Sequence, residues 1–277
     1  MLQLAPTAAD IKRIVKAQKI AALLTVEGGH TIDDDLRVLR MYYQLGIRSM
    51  TLTHSRNNNW ADSSTDKPER NGLTDFGKEV VREMNRLGLL VDVSHVSDKR
   101  FYDALAVTTK PVIISHSSMR TLSDVPRNVT DVMLWALAKN GGVIGINFGE
   151  GFVNPADAEA LRSDIKTETT DLSLTGRALD DYAAEDMRKL FGNRAKVAAT
   201  VEDVADHIDH AVKVAGIEHV GIGSDFDGIS GPPHGLDDVS RMPALIAVLL
   251  NRGYSKRDLK KILDENFLRV ILEMMGK

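Results

Sequence analysis

Residues 89–95 read Leu-Leu-Val-Asp-Val-Ser-His, and residues 111–116 read Pro-Val-Ile-Ile-Ser-His. Each run is short and apolar, which predicts a buried strand that ends in a histidine. Barrels of the α/β class carry their chemistry at the C-terminal ends of their strands, and imidazole is a common ligand of catalytic metals. Because the two histidines lie 21 residues apart, the pattern indicates consecutive βα units that aim two ring nitrogens at one point.

The composition excludes several classes of protein. The chain has 277 residues, a formal net charge of −4, 43% hydrophobic residues and no cysteine. This length suits one large α/β domain or two small ones. A nucleic-acid-binding protein needs a basic face, so we expect no nucleic-acid partner. Without cysteine, any metal must be bound by His, Asp or Glu, and no apolar run approaches the roughly 20 residues of a membrane span.

Strand and helix patterns alternate along the chain. Six apolar runs predict strands, at Ile20–Val26, Ile47–Thr53, Leu89–Ser94, Pro111–Ser115, Gly142–Phe148 and His219–Ser224. Repeated βαβ units require a parallel sheet with right-handed crossovers, a condition that a doubly wound sheet and a barrel both satisfy. We expect a single domain over residues 1–277, with an excursion around 149–198 and a C-terminal helical tail over 241–275.

Five of the six predicted strands end in a side chain that can ligate a metal or act as an acid or base. These residues are Glu27, His54, His95, His116 and Asp225. Two imidazoles and one carboxylate are the ligand set of many hydrolytic zinc sites, and a carboxylate can also bridge two metals. An aspartate beside such a site is suited to orient or deprotonate the attacking water. The strand ends therefore predict a metal or acid/base site.

Three further side chains have two possible interpretations. Arg127 lies eleven residues after His116 on the same predicted βα loop. Its guanidinium would either clamp a substrate carboxylate or lie on the surface, and both possibilities stay open. His207 and His210 lie among acidic neighbours on the helix predicted over residues 200–215, and we expect them on a solvated face rather than in a site.

Several motifs resemble those of the membrane (renal) dipeptidase family of zinc metallopeptidases, in the same order over nearly the whole chain. The motifs are Val26-Glu27-Gly28-Gly29-His30, Thr51-Leu52-Thr53-His54-Ser55, Val93-Ser94-His95-Val96-Ser97, Ile114-Ser115-His116-Ser117-Ser118, Arg127-Asn128-Val129 and Gly223-Ser224-Asp225-Phe226-Asp227-Gly228. The resemblance implies a (β/α)8 TIM-barrel-like metallohydrolase fold and a two-zinc site that hydrolyses dipeptides. The expected partner is thus a dipeptide substrate, and a homodimer is left open.

The resemblance implies that three residues bind zinc. Glu27 corresponds to the carboxylate that bridges the two ions, and His95 and His116 correspond to the ligands of the second ion. In the family a His-x-Asp motif at the end of the first barrel strand holds the first ion, but the 26 residues before Glu27 contain no histidine. We therefore expect an N-terminally truncated chain that lacks the first two barrel strands. The chain as given predicts a cytoplasmic protein, whereas an upstream signal peptide would change that localisation.

The resemblance also implies roles toward the substrate. His54 corresponds to the histidine that contacts the scissile-bond oxygen, Arg127 to the arginine that binds the terminal carboxylate, and Asp225 to the acid/base aspartate near the metals. Two other interpretations stay open. One is a non-catalytic or single-metal remnant of the family, and the other is an amidohydrolase-like barrel metallohydrolase that acts on amides or lactones.

Overall fold

A parallel sheet of six strands forms the centre of the computed structural model, which describes residues 1–159, 198–229 and 231–276. The described strands are β1 Leu2–Leu4, β2 Ile20–Ala22, β3 Leu24–Glu27, β4 Ile47–Thr51, β5 Leu90–Asp92, β6 Ile113–Ser117, β7 Val143–Ile146 and β8 Val220–Ile222. The sheet order β3-β4-β5-β6-β7-β8 follows the chain, and every neighbouring pair is parallel. This arrangement confirms the predicted series of parallel βα units.

The first predicted strand is divided in two. The run Ile20–Val26 breaks at Leu23, because β2 pairs in parallel with β1 whereas β3 pairs with β4. Helix α1, Ala8–Lys16, joins β1 to β2, and its buried Ile14 packs in a small cluster with Leu23 and Leu268. The prediction of one continuous strand is therefore wrong, since a continuous apolar run does not reveal a change of pairing partner.

Helices connect the strands of the sheet. The remaining described helices are α2 Leu36–Gln44, α3 Asp75–Leu87, α4 Asp98–Val107, α5 Asp131–Asn140, α6 Glu150–Val153, α7 Val201–Ala215, α8 Met242–Asn251, α9 Lys256–Lys260 and α10 Asn266–Met275, with 3-10 turns at Gly29–Ile32, Ile217–His219 and Val239–Arg241 and a π-helical turn at Lys261–Glu265. Several of these helices begin directly after a residue that has a side-chain hydroxyl group. Thr74 and Thr200 accept hydrogen bonds from backbone N–H groups of the first turns of α3 and α7, as residues at this position commonly do.

Two of the hydrophobic clusters contact the six-stranded sheet, and they pack against different parts of it. The main cluster joins the sheet to the surrounding helices through fully buried side chains such as Leu39, Val80, Phe101, Leu134 and Ile208. A second cluster packs the first residues of β5, β6 and β7 against α10, through Leu90, Ile113, Val143, Val270 and Met274. Helix α10 therefore covers the N-terminal ends of these strands, and the C-terminal ends face the other way.

The expected excursion around 149–198 lies mostly outside the described residues, since only its first part, including α6, and residue 198 are described. Helices α8, α9 and α10 follow residue 241.

Among the described residues no strand pairing joins β8 to β3. A helix with the length and apolarity to cross a membrane is absent from the described part of the chain.

Candidate metal centre and substrate cleft

Glu27, His95 and His116 come together at the C-terminal ends of β3, β5 and β6. Oε1 of Glu27 lies 3.0 Å from Nε2 of His95 and 3.2 Å from Nε2 of His116. The two ring nitrogens are 2.9 Å apart. Parallel strands end at one edge of the sheet, so residues far apart in the chain meet there. We call these three residues the metal cluster, because each offers one ligand atom to a common point.

The metal cluster fits a single cation. Two ligand atoms about 2.05 Å from a tetrahedral zinc ion lie about 3.3 Å apart, close to the separations in the cluster. The donor set of two imidazoles and one carboxylate is also that of catalytic zinc sites, which keep a further position for water. Two imidazole lone pairs and a carboxylate oxygen at these distances repel one another unless a cation or a proton lies between them.

The charge states of the cluster also suit a cation. Burial lowers the pKa of His95 to about 3, and the positive charge of Arg127 acts in the same direction. The neighbouring imidazoles of His116 and His95 hold the pKa of Glu27 well below its ordinary value. His95 is therefore neutral and Glu27 is ionised at neutral pH, which are the states in which imidazole and carboxylate bind metals.

The backbone is strained at two of the predicted site residues. His95 has a φ of 64° and Asp225 a φ of 60°, in the left-handed region that costs a non-glycine residue roughly 1–2 kcal/mol. The loop after β4 holds the first of them, because the N–H of Ser64 donates to the carbonyl of His95 at 2.7 Å. Ser63 and Val96 also form an antiparallel bridge. Strain of this kind is concentrated at functional sites.

His54 follows β4 and borders the metal cluster. Its Nε2 lies 3.9 Å from Oε2 of Glu27 and its side chain is 47% exposed, while its ring centroid lies 4.7 Å from that of His95. The hydroxyl of Ser63 donates to the carbonyl of His54 at 2.6 Å, which holds the backbone. Burial lowers the pKa of His54. A neutral, accessible imidazole at this position is suited to donate a hydrogen bond to a ligand.

Arg127 is buried, which excludes the surface position that the sequence left open. The residue is only 6% exposed, and its Nη2 donates to the carbonyl of His116 at 2.8 Å. The guanidinium lies 5.7 Å from the ring of Phe152. Burial lowers the pKa of Arg127 to about 10, so the group is still charged at neutral pH. Among the described residues Nε has no hydrogen-bond partner.

Asp225 follows β8 and is oriented by Asn147 at the end of β7. Nδ2 of Asn147 donates to Oδ2 of Asp225 at 3.3 Å. The amide is held by the N–H of Gly149, which donates to Oδ1 of Asn147 at 2.5 Å. Burial raises the pKa of Asp225, as suits a carboxyl that exchanges a proton. Asn147 was not among the predicted site residues, although its position at the end of the fifth predicted strand was an available signal.

His207 is a structural residue of the core, so the expectation of a solvated face is wrong for it. The residue is 1% exposed. Its Nδ1 accepts from the N–H of Met119 at 2.9 Å, which leaves Nε2–H to donate to the carbonyl of Val153 at 3.1 Å. The side chain of His210 on the same helix is 17% exposed, and its Nε2 lies 2.8 Å from Oδ1 of Asp131. Acidic neighbours along a helix do not distinguish its buried face from its exposed one.

The chain is similar in sequence to known dipeptidases. The family model of the membrane dipeptidases (Peptidase family M19) matches residues 1–275. An uncharacterized dipeptidase of Schizosaccharomyces pombe is 42% identical over 257 residues, which are 91% of this chain and 52% of that protein. The chain spans about half the length of the curated relatives that it matches.

Solved structures share the fold. The probable dipeptidase PvdM of Pseudomonas aeruginosa has a TM-score of 0.85 and 29% identity, over 99% of this chain and 74% of that one. A metallopeptidase of Rhodobacter sphaeroides, solved with a phosphinate mimic of the dipeptide L-Ala-D-Ala, has a TM-score of 0.80 and 25% identity, over 99% of this chain and 69% of that one. The α/β, TIM-barrel-like fold expected from the sequence is thus confirmed. The chain belongs to the membrane dipeptidase family, peptidase family M19.

Proposed function

We propose that this chain acts as a dipeptidase whose two-zinc site has the metal cluster as one half, although the 26 residues before Glu27 contain no histidine for the His-x-Asp half that the resemblance implies. The observation that carries the proposal is the buried, charged guanidinium of Arg127 directly beside the metal cluster. Ligands for one metal suit many hydrolases, whereas a fixed cation next to them suits a substrate with a nearby carboxylate. In a dipeptide the free carboxylate lies one residue from the scissile carbonyl, so both groups reach the site together.

Each side chain has one role in the proposed reaction. Glu27, His95 and His116 would hold zinc, which would supply Lewis-acid polarisation of the carbonyl and an activated water. Arg127 binds the terminal carboxylate of the substrate and orients the peptide bond. His54 donates a hydrogen bond to the peptide oxygen as negative charge develops on it. Asp225 accepts a proton from the attacking water and transfers it to the leaving amine.

Two further observations support these roles. The raised pKa of Asp225 brings the carboxyl closer to the range in which it both takes and gives a proton. The Rhodobacter sphaeroides relative was solved with a phosphinate mimic of a dipeptide, and a tetrahedral phosphinate resembles a peptide carbonyl after attack by water. We therefore assign the dipeptide as the substrate class.

A second candidate function is a chain that binds one metal and does not hydrolyse dipeptides. One observation favours it: within residues 1–159, 198–229 and 231–276, the metal cluster is the one group of three ligating side chains that converges on a point. Oε2 of Glu27 lies 3.9 Å from Nε2 of His54. Among these residues, no further pair of side chains converges on Oε2 to bind a second metal ion. The two candidates differ in metal stoichiometry and in turnover.

Metal analysis combined with a dipeptide hydrolysis assay tests the proposal. We expect about two zinc ions per chain with turnover if the proposal holds, and one ion without turnover if the second candidate is correct. His116→Ala should lose zinc and turnover, because it removes one ligand from the metal cluster. His210→Ala is the matched control, since it removes an imidazole that pairs with Asp131 away from the cluster. Retained zinc and turnover in His116→Ala would contradict the proposal.

A further inference from the structure

Asp92 is a buried carboxylate that holds together two of the strand ends at the site. It is 4% exposed and accepts four hydrogen bonds. Oδ1 accepts from the N–H groups of Ser94 at 3.0 Å and Ser115 at 3.1 Å. Oδ2 accepts from the hydroxyls of Ser115 at 2.5 Å and Thr51 at 3.2 Å. The two serines immediately precede the two histidines of the metal cluster.

The direction of these hydrogen bonds determines which nitrogen of His116 carries the proton. The hydroxyl of Ser115 has one proton, and it donates that proton to Oδ2 of Asp92. The same oxygen lies 2.7 Å from Nδ1 of His116, so it must accept from Nδ1–H. The remaining nitrogen, Nε2, then has a free lone pair. Nε2 is the atom that faces Glu27.

The surrounding contacts are consistent with this polarity. The hydroxyl of Ser94 lies 3.2 Å from that of Ser115 and accepts from the N–H of His116 at 3.2 Å. Its own proton is therefore available for the oxygen of Ser115. The oxygen of Ser115 thus accepts from Nδ1–H and from Ser94 while donating to Asp92, and every polar group in the chain of contacts has a partner.

We infer that Asp92 is a positioning residue that acts through Ser115 to hold His116 in the Nδ1–H tautomer required for metal binding. The inference rests on the proposed role of His116 as a metal ligand. Carboxylates commonly orient ligating histidines by accepting their second N–H, and here the hydroxyl of Ser115 transmits the contact. His95 differs, because among the described residues its buried Nδ1 has no hydrogen-bond partner. The orienting contact is therefore specific to one of the two imidazoles.

Ser115→Ala is the direct test, because it breaks the link and removes no ligand. Zinc affinity is measured by competition with a chromophoric chelator, and the tautomer of His116 by ¹⁵N NMR of the metal-free protein. We expect Nδ1–H in the parent protein, a mixture of tautomers in Ser115→Ala and a loss of affinity of about 10- to 100-fold. Ser115→Thr, which keeps the hydroxyl, should restore both. Asp92→Asn should lose affinity to a similar extent.

The control is Ser118→Ala, which removes a buried hydroxyl bonded to the carbonyl of Asn147 at 3.3 Å instead of to an imidazole. It should leave the tautomer of His116 and the zinc affinity unchanged. An equal loss of affinity in Ser118→Ala, or an Nε2–H tautomer in the parent protein, would overturn the inference. Because the NMR measurement needs no metal, its result is independent of the proposed function, whose failure is instead recorded by zinc retention in His116→Ala.

Discussion

Arg127 donates a hydrogen bond from Nη2 to the backbone carbonyl of His116 at 2.8 Å, so the cation proposed to bind substrate is attached to the strand end that carries a proposed metal ligand. The contact holds the guanidinium at a constant distance from the metal cluster. It uses one N–H group, and among the described residues the buried Nε has no partner. The arginine therefore retains donors for a carboxylate.

Arg127→Met should weaken the binding of dipeptides with a free carboxylate. Charge-assisted hydrogen bonds contribute about 1.5–3 kcal/mol each, so we expect KM to rise about 10- to 100-fold. Dipeptide amides, which lack the carboxylate, should be affected much less. Steady-state kinetics with matched acid and amide substrates measures both, and an equal effect on the two substrates would show that Arg127 does not bind the carboxylate.

Asn147→Ala should change the pH dependence of turnover. The amide of Asn147 donates to Asp225 and lowers the pKa of that carboxyl, opposing the larger effect of burial. Its removal takes away one of the effects that oppose burial, so the pKa of Asp225 rises and the acidic limb of the kcat/KM profile moves to higher pH. Activity should thus fall more at acidic than at neutral pH.

The control for this variant is Asn154→Ala, which removes an amide bonded to Asp203 at 3.2 Å, away from Asp225. Its pH profile should match that of the parent protein. A uniform loss of activity at every pH in Asn147→Ala would indicate that the amide supports the local structure and does not influence Asp225.

The residues at the strand ends could be predicted from the sequence, because each apolar run and the residue that follows it are adjacent in the chain. Each apolar run has a definite end, and consecutive parallel strands bring those ends to one edge of the sheet. The meeting of Glu27, His95 and His116 follows from these two facts. The division of the first predicted strand at Leu23 could not be predicted, because the residues on either side of Leu23 are equally apolar and only their pairing partners differ.

The supporting contacts could not be predicted, because they depend on side-chain directions across distant segments. Asn147 and Asp225 are 78 residues apart, and Ser115 is 23 residues from Asp92. Neither hydrophobic periodicity nor turn chemistry contains this information. The burial of Arg127 was undecided for the same reason, since it depends on the packing of Phe152 in a later helix.

His207→Gln should reduce the dependence of stability on pH. Burial lowers the pKa of His207 to about 4 in the folded protein, from an ordinary value of 6.5. Between these values the unfolded chain binds a proton that the folded chain does not, so acidification from 6.5 towards 4 destabilises the parent protein. At 1.36 kcal/mol per pKa unit the effect is at most about 3 kcal/mol. Glutamine does not titrate and removes this contribution.

Urea unfolding at several pH values measures the difference between the parent protein and His207→Gln. The variant should be less stable at neutral pH, because the bonds to Met119 and Val153 are disturbed, and the difference should narrow on acidification. His210→Ala serves as the comparison, because it removes an imidazole from the same helix that pairs instead with Asp131. A difference between parent and His207→Gln that does not change with pH would rule out the titration of His207 as the cause.

Asp62 and Arg100 form a buried pair that ties the loop before α3 to α4. Both are at most 1% exposed, and Nη2 of Arg100 lies 3.5 Å from Oδ2 of Asp62. Asp62 also accepts from the N–H groups of Glu69 and Arg70 at 3.1 and 3.0 Å. The loop contains His54 and begins where β4 ends, so this pair supports the residue that borders the metal cluster.

Asp62→Ala should destabilise the protein by about 3–5 kcal/mol, because it removes the carboxylate paired with the buried charge of Arg100, although Nη2 still donates to the carbonyl of Gly72. The double variant Asp62→Ala/Arg100→Met removes that charge as well and should be less destabilised than the sum of the two single variants. Chemical unfolding of all four proteins gives the coupling energy. Hydrogen exchange of the N–H groups of Glu69 and Arg70 should accelerate in both variants that lack Asp62, because their acceptor is absent. Additive losses would instead mean that the two side chains stabilise the loop independently.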